Sequence, residues 1–258
     1  MKPETALDNW QSWLCAPKSR PAIIDELTAG KTNRSFLLDA DGDALVMRLN
    51  TPRDNLPGVD RTREVQVWQA AAESGLAPRI LHADHNTGLL ITEFIDGATF
   101  EDTNANDVLL DRLVELLSRV HELDVAAPVI QYADHVDNFW HLIETRPRSG
   151  LDLLRQQRAP MQSLINEFSA ADHVVGLCHH DPVPSNVIDR RGRLYLLDWE
   201  YAARGPVVMD YAALCAEWDI DEAELIRRIE LDAEKLEAAQ TIYRYLCALW
   251  AAVGPEKD

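Results

Sequence analysis

Basic side chains are scarce in this chain: 25 Lys and Arg stand against 43 Asp and Glu, a formal charge of −18. It has no footprint for neutralising phosphate chains, which excludes nucleic acid and an anionic membrane as partners. The same surplus keeps a protein in solution and leaves cationic small molecules open. Cysteine is sparse too. Cys15, Cys178, Cys215 and Cys247 form no CxxC pair and have no metal-ligand spacing, so neither a disulfide framework nor a zinc site is expected. They read as small buried hydrophobes. Long apolar runs are missing: "GLLITEFI", Gly88 to Ile95, falls well short of the roughly 20 residues that cross a bilayer. The opening "MKPETALDNW" has no signal-peptide core. The expectation is a soluble, cytoplasmic monomer or homodimer.

What is present is ordinary globular composition, 47% hydrophobic over 258 residues, enough for one large domain or two lobes. "SFLLDA" and "ALVMRLN" flank "DGD", a strong hairpin signal, and "LTAGKTNRS" (Leu27 to Ser35) reads as a tight turn leading into it. Residues 60–74 predict a helix, with Asp60 as cap, Gly75 as stop and Val65, Trp68 and Ala72 on one face. "RILHAD" and "GLLITEFI" predict a second hairpin. From Asn106 onward the pattern turns helical: Leu109, Leu113, Leu116, Leu117, Val120 and Leu123 recur at three- and four-residue steps. Weaker helical spacing covers 151–168 and 222–253, with two short strands around "DRRGR" between them. The expected class is α+β, a small mixed lobe over residues 1–95 and a larger, mostly helical lobe over 96–258.

The chemistry concentrates in "LCHHDPVPSNVIDRRGRLYLLDWEYA", Leu177 to Ala202. His179, Asp181 and Asn186 have the spacing H-x-D-x-x-x-x-N, and Asp198 follows at the end of an apolar strand. Phosphoryl transfer needs a carboxylate to orient the attacking hydroxyl and hard oxygen ligands for Mg²⁺. Asp181 suits the first role; Asn186 and Asp198 suit the second. The spacing matches the protein-kinase catalytic loop. That logic demands a basic side chain on the first hairpin and a helix glutamate to orient it, and Arg48 and Glu64 supply them. Arginine in place of lysine keeps the charge but brings a planar fork. "AGKTNRS" has one glycine, Gly30, with Thr32, Asn33 and Ser35 as further groups to cradle phosphates. Glu93 to Ile95 form the expected hinge for adenine.

Together these residues resemble the aminoglycoside phosphotransferase and choline kinase superfamily, which has a protein-kinase-like fold. The likeness runs from "LTAGKTNRSFLL" through "VMRLN", "TREVQVW", "LLITEFIDG" and "LLSRVHEL" to "CHHDPVPSNVI", "LLDWEYA" and "VVMDYAAL". "DWEYA" looks like the choline, ethanolamine and thiamine kinase branch. The resemblance implies ATP and Mg²⁺, Asp181 as base, Asn186 and Asp198 as metal ligands, Arg48 on the phosphates and Glu64 orienting it. It also implies that His179 and Asp210 brace the loop. His180 departs from the family pattern and has no assigned role. For the acceptor, carboxylates and aromatics suit a small cationic alcohol on indole faces: Glu217 beside Trp218 first, then Asp219, Glu200, Tyr201, Tyr243, Tyr245 and Trp250. An aminoglycoside or sugar acceptor is one alternative, and a catalytically inactive nucleotide-binding scaffold the other.

Overall fold

Asp41 and Gly42 are both left-handed, with φ of 58° and 92°. A two-residue loop of that hand matches the twist of the strands it joins. The loop belongs to an antiparallel sheet of β1 (Ala22–Leu27), β2 (Arg34–Ala40), β3 (Asp43–Leu49), β4 (Ile80–Asp84) and β5 (Leu89–Glu93), in the order β1-β2-β3-β5-β4. The computed structural model describes residues 2–27, 33–50, 56–100, 105–145, 149–253. Both expected hairpins are present. β1 is an additional strand, outside the two hairpins expected.

The period of two along β3 places Leu45, Met47 and Leu49 on one face and Arg48 on the other. The apolar face packs with Phe36, Leu38 and Ile91, and with Leu7 and Trp13 from the N-terminal segment that includes α1 (Pro3–Leu7). Helix α2 (Arg61–Glu73) starts where Asp60 accepts from the N–H groups of Thr62 and Arg63. Its buried face is Glu64, Val67, Trp68 and Ala71, which keeps the expected Trp68 but has Glu64 and Ala71 buried where Val65 and Ala72 were expected. A carboxylate lies on the buried face because it has partners there.

The remaining helices are α3 (Asp107–His121), α4 (Tyr132–Thr145), α5 (Asp152–Ala170), α6 (Val208–Glu217), α7 (Glu222–Ile229) and α8 (Ala233–Val253). Asn106 caps α3 through Leu109 N–H. The single helix expected over 222–253 is two, because Glu230 turns left-handed at φ 50°. Four short strands, β6 (Val175–Cys178), β7 (Val187–Arg190), β8 (Arg193–Leu196) and β9 (Ala203–Pro206), pair as β6-β9 and β7-β8. A Cβ on Gly176 would lie 2.7 Å from His121 O, so only glycine lets β6 approach the end of α3 this closely.

The described residues fall into two compact units. The first draws on Met1–Asn55, Val59–Asp102 and Pro184–Tyr201; the second on Leu56–Gly58, Thr103–Val183 and Ala202–Asp258. The division therefore differs from a single cut after Ile95. Residues 184–201 join the first unit because β7 bridges Ala98 through Asp189, and Leu196 N–H donates to Leu76 O at 2.7 Å. In the second unit, α8 packs against α4, α5 and α6. Of the cysteines, Cys178 and Cys215 are buried as expected, but Cys15 is half-buried and Cys247 exposed. No described helix is long and apolar enough to cross a membrane.

Candidate active site

In the first unit the site is a network of charges. Arg48 on β3 is 7% exposed and uses both ends of its fork: Nη2 pairs with Glu64, and Nη1 donates to Asp198 Oδ1 at 3.0 Å. Its guanidinium carbon lies 5.3 Å from the Trp68 ring centroid. One planar cation thus holds a helix carboxylate and a loop carboxylate at once, which a lysine cannot do in the same geometry. Burial opposes ionisation of Glu64, but Arg48 and Arg61 overcome it and hold its carboxyl below the usual range.

Arg61 extends the network. Its Nη1 donates to Glu64 Oε2 at 2.8 Å and to Glu200 Oε2 at 2.9 Å. Asn33 Nδ2 donates to the same Glu200 oxygen at 3.2 Å. Glu200 was expected beside the acceptor, yet it is buried and tied to Arg61 and Asn33. Sequence reasoning missed Arg61, although its place one turn before Glu64 is the spacing of helix ion pairs.

Asp198 is not on a strand: β8 ends at Leu196, and Asp198 follows in the left-handed region at φ 58°. A non-glycine residue held there is characteristic of functional turns. Burial, with Glu200 adding repulsion, lifts its carboxyl to about 7 even against the pull of Arg48. Asn186 closes the short 3₁₀ turn Pro184–Asn186, and its carbonyl accepts from Leu197 N–H at 2.8 Å, tying it to the Asp198 segment. A carboxamide oxygen and a carboxylate crowded by a second carboxylate make a hard-oxygen set that a divalent cation would relieve, so these residues fit Mg²⁺.

Of the remaining nucleotide-side residues, Gly30 and Thr32 lie outside the described residues. Ser35 sits half-buried on β2 directly opposite Arg48. Ile95 is buried, while Glu93 is committed elsewhere: its N–H donates to Arg79 O, and its carboxylate accepts from Arg79 N and Nε.

In the second unit the loop after β6 is pinned by one buried carboxylate. Asp210, in the first turn of α6, accepts from His179 N–H at 2.9 Å and His180 N–H at 2.7 Å. His121 Nε2 lies 3.0 Å from the same side chain. Burial alone would raise the Asp210 carboxyl, but the hydrogen bond and the histidines bring it down to about 2. The next N–H, of Asp181, donates to His179 Nδ1 at 3.3 Å. Three successive backbone donors are thereby fixed, and the half-buried Asp181 side chain is presented by a rigid loop. His180 gains a role: it takes φ 65°, and its Nε2 lies 3.0 Å from the hydroxyl of Tyr132. Burial pushes the Tyr132 phenol well up, so its hydroxyl stays protonated beside that ring. No sequence signal pointed to Tyr132, whereas His121 lies within "LLSRVHEL".

The acceptor expectations divide. Trp218, 2% exposed, is core rather than cage: its Nε1 donates to Pro182 O at 2.7 Å. A buried indole gives no open face to a quaternary ammonium. Glu217, at the end of α6, is exposed and accepts from Tyr243 hydroxyl at 3.2 Å. Burial, with Cys247, Asp181 and Glu217 adding, pushes the Tyr243 phenol far above its ordinary value. Tyr245 is buried and accepts from Trp140 Nε1, Trp250 is half-buried on α8, Tyr201 is half-buried and Asp219 is exposed.

Residues 23–249 match the phosphotransferase enzyme family. Protein LicA of Haemophilus influenzae is 25% identical over 201 residues, 76% of this chain but 57% of LicA's own length. The thiamine kinase of Salmonella dublin is 23% identical over 228 residues, 85% of this chain and 76% of that one. Among solved structures, the choline kinase LicA of Streptococcus pneumoniae has a TM-score of 0.76 at 20% identity, covering 91% of this chain and 89% of that one. A structure of LicA in complex with AMP has a TM-score of 0.79 at 19% identity, covering 97% and 89%. These likenesses show the α+β, protein-kinase-like fold.

Proposed function

The chain belongs to the phosphotransferase enzyme family, and from that premise we propose an ATP- and Mg²⁺-dependent small-molecule kinase acting on a hydroxyl of a small cationic alcohol. Choline and ethanolamine come first and thiamine close behind. The observation that carries the reading is the double engagement of Arg48 with Glu64 and Asp198. That is the cation, helix-carboxylate and metal-carboxylate set that phosphoryl transfer uses to place a nucleotide. Choline kinase and thiamine kinase relatives support the acceptor class.

In the proposed reaction the acceptor hydroxyl oxygen attacks the γ-phosphorus, the bond to the β,γ-bridging oxygen breaks, and ADP leaves. Asp181 orients the hydroxyl and accepts its proton. Arg48, oriented by Glu64, contacts the donor phosphates, and Gly30, Thr32, Asn33 and Ser35 are the further groups proposed to cradle them. Asn186 and Asp198 would hold Mg²⁺, which neutralises charge on those phosphates. Of the hinge Glu93 to Ile95, Ile95 is the backbone group left for adenine, since the Glu93 and Phe94 N–H groups donate to Arg79 O and Ala44 O. Glu217 offers an exposed carboxylate to the acceptor's cationic end, with Tyr243 fixing its rotamer. The setting would be the cytoplasm, where ATP is supplied.

A coupled ADP-release screen with Mg²⁺·ATP against choline, ethanolamine, thiamine, aminoglycosides and simple sugars tests this. Turnover on an amino alcohol or thiamine is expected. Turnover confined to aminoglycosides or sugars would transfer the assignment to that class, and absence of Mg²⁺-dependent nucleotide binding would leave an inactive scaffold.

A further inference from the structure

His180 stands immediately before Asp181, and its backbone is left-handed, at φ 65°. Glycine or asparagine adopts that conformation at less cost than a residue with an imidazole. A bulky side chain held there is over-determined by its surroundings. The main chain is pinned from α6, where Asp210 Oδ1 accepts from His180 N–H at 2.7 Å. The side chain is pinned from α4: ring Nε2 lies 3.0 Å from the Tyr132 hydroxyl, and the two rings meet edge to face with centroids 6.1 Å apart.

The surrounding elements are built for that contact. Tyr132 opens α4 fully buried, and its ring is itself fixed edge to face against Phe168 of α5, centroids 6.2 Å apart. The chain just ahead of α4 is tied to β9 on both sides of one residue: Arg204 N–H donates to Pro128 O at 3.0 Å, and Ile130 N–H donates to Arg204 O at 2.8 Å. Next on β9 comes Gly205, where a Cβ would lie 3.0 Å from Ile130 Cγ2, 3.3 Å from the Tyr132 hydroxyl and 3.5 Å from His180 Nε2. A side chain there would crowd Ile130 and the phenol and touch the imidazole. Glycine at this place keeps open the space in which the hydrogen bond forms.

His180 is thus held by two different helices, one through its main chain and one through its side chain. Asp210 fixes where the N–H groups of His179 and His180 lie. Tyr132 adds a second hold at the residue next to Asp181, so a slip in it is passed directly to that carboxylate. Resting on the kinase assignment above, with Asp181 as base, we propose that Tyr132 is a positioning residue: through the His180 imidazole it sets the aim of Asp181 at the acceptor hydroxyl. Neither Tyr132 nor His180 touches the reacting atoms in this proposal; both act through Asp181. A displacement of about 1 Å at a reacting group can cost on the order of 10²-fold in rate.

Tyr132→Phe keeps the ring contacts with Phe168 and His180 and removes only the hydroxyl. Turnover on the full chain would be measured with Mg²⁺·ATP and whichever acceptor of the screen above the wild type phosphorylates. Counting kcat per nucleotide-binding site, by calorimetry, keeps misfolded protein out of the comparison. The expected result is a kcat lower by about ten- to a hundredfold, with KM and Kd for ATP unchanged. His180→Asn suits the left-handed backbone and removes the imidazole, so it should give a similar fall. The double variant should be no slower than the slower single one, because both substitutions remove the same bond. A wild-type kcat in either single variant would overturn the proposal, as would losses that multiply in the double variant. A wild type that turns over no acceptor would overturn the kinase assignment and this proposal with it, whereas wild-type turnover that His180→Asn leaves intact overturns the proposal alone. Because His180 is only half-buried, its variant decides the matter even where Tyr132→Phe fails to fold.

Discussion

The indole N–H of Trp218 donates to the carbonyl oxygen of Pro182 at 2.7 Å, one residue after Asp181. A side chain just past the end of α6 thereby holds the backbone next to the proposed base. Trp218→Phe keeps most of the ring and removes the donor, leaving a buried carbonyl unmatched at a cost of about 1–3 kcal/mol. The expected outcome is a lower Tm and a fall in kcat with KM for ATP unchanged. A kcat equal to wild type would reduce Trp218 to core packing.

Asp181→Asn is expected to lower turnover by roughly 10²- to 10⁴-fold, the usual contribution of a positioned base. Nucleotide affinity, measured by calorimetry, should not move, because the loop is held by its N–H groups rather than by this side chain.

Arg48→Lys retains the charge but offers one ammonium where Glu64 and Asp198 need two donors in a plane. One carboxylate then loses a charge-assisted bond worth about 1.5–3 kcal/mol, and kcat/KM for ATP should fall by about ten- to a hundredfold.

Arg61→Met removes the cation that Glu64 and Glu200 share; Glu64 keeps Arg48 and Glu200 keeps the Asn33 amide, so the loss falls mainly on Glu200, whose side chain is 3% exposed. Breaking a buried pair from one side costs about 3–5 kcal/mol. Denaturant unfolding should show that loss, and the double variant Arg61→Met with Glu200→Gln should recover part of it because a buried charge that has lost its cation is gone. A double variant no more stable than the single one would place the cost elsewhere.

Asp210 sets an acid limit. Its carboxyl titrates at about 2 when folded against an ordinary value of 3.8, so it contributes stability above pH 3.8 that is lost as pH falls toward 2. The shift corresponds to roughly 2 kcal/mol. Asp210→Asn should flatten the unfolding curve across that window. It should also be less stable at neutral pH, since one amide oxygen cannot serve the His179, His180 and His121 donors.

Much of the fold was legible. Asp41–Gly42 fixed a hairpin, Asp60 and Asn106 fixed helix starts, and leucine spacing fixed α3, because each signal is local and comes from backbone sterics or one buried stripe. β1 was not legible, since an edge strand with mixed exposure has no alternation to read. Nor was the split between α7 and α8, as a glutamate in the left-handed region leaves no glycine to mark it. For the site, spacing alone put forward Asp181, Asn186, Asp198, Arg48 and Glu64 as candidates, of which direct contacts join Arg48, Glu64 and Asp198. It misassigned Glu200 and Trp218, because the same residue types serve equally well as ligand contacts and as buried partners.

The sequence by itself determined which chemistry the chain can offer: the H-x-D-x-x-x-x-N loop, the aspartate after an apolar strand, and an arginine on a hairpin followed by a helix glutamate. These are fixed by residue type and short-range spacing. Only the tertiary structure decided how those groups are held. Arg48 shares its fork between residues 16 and 150 positions away, Asp210 collects donors from a loop some 30 residues earlier, and Trp218 turns inward to Pro182. Those pairings rest on desolvation, since a buried charge or N–H must find its partner wherever the chain's packing brings one. No local pattern records where that will be.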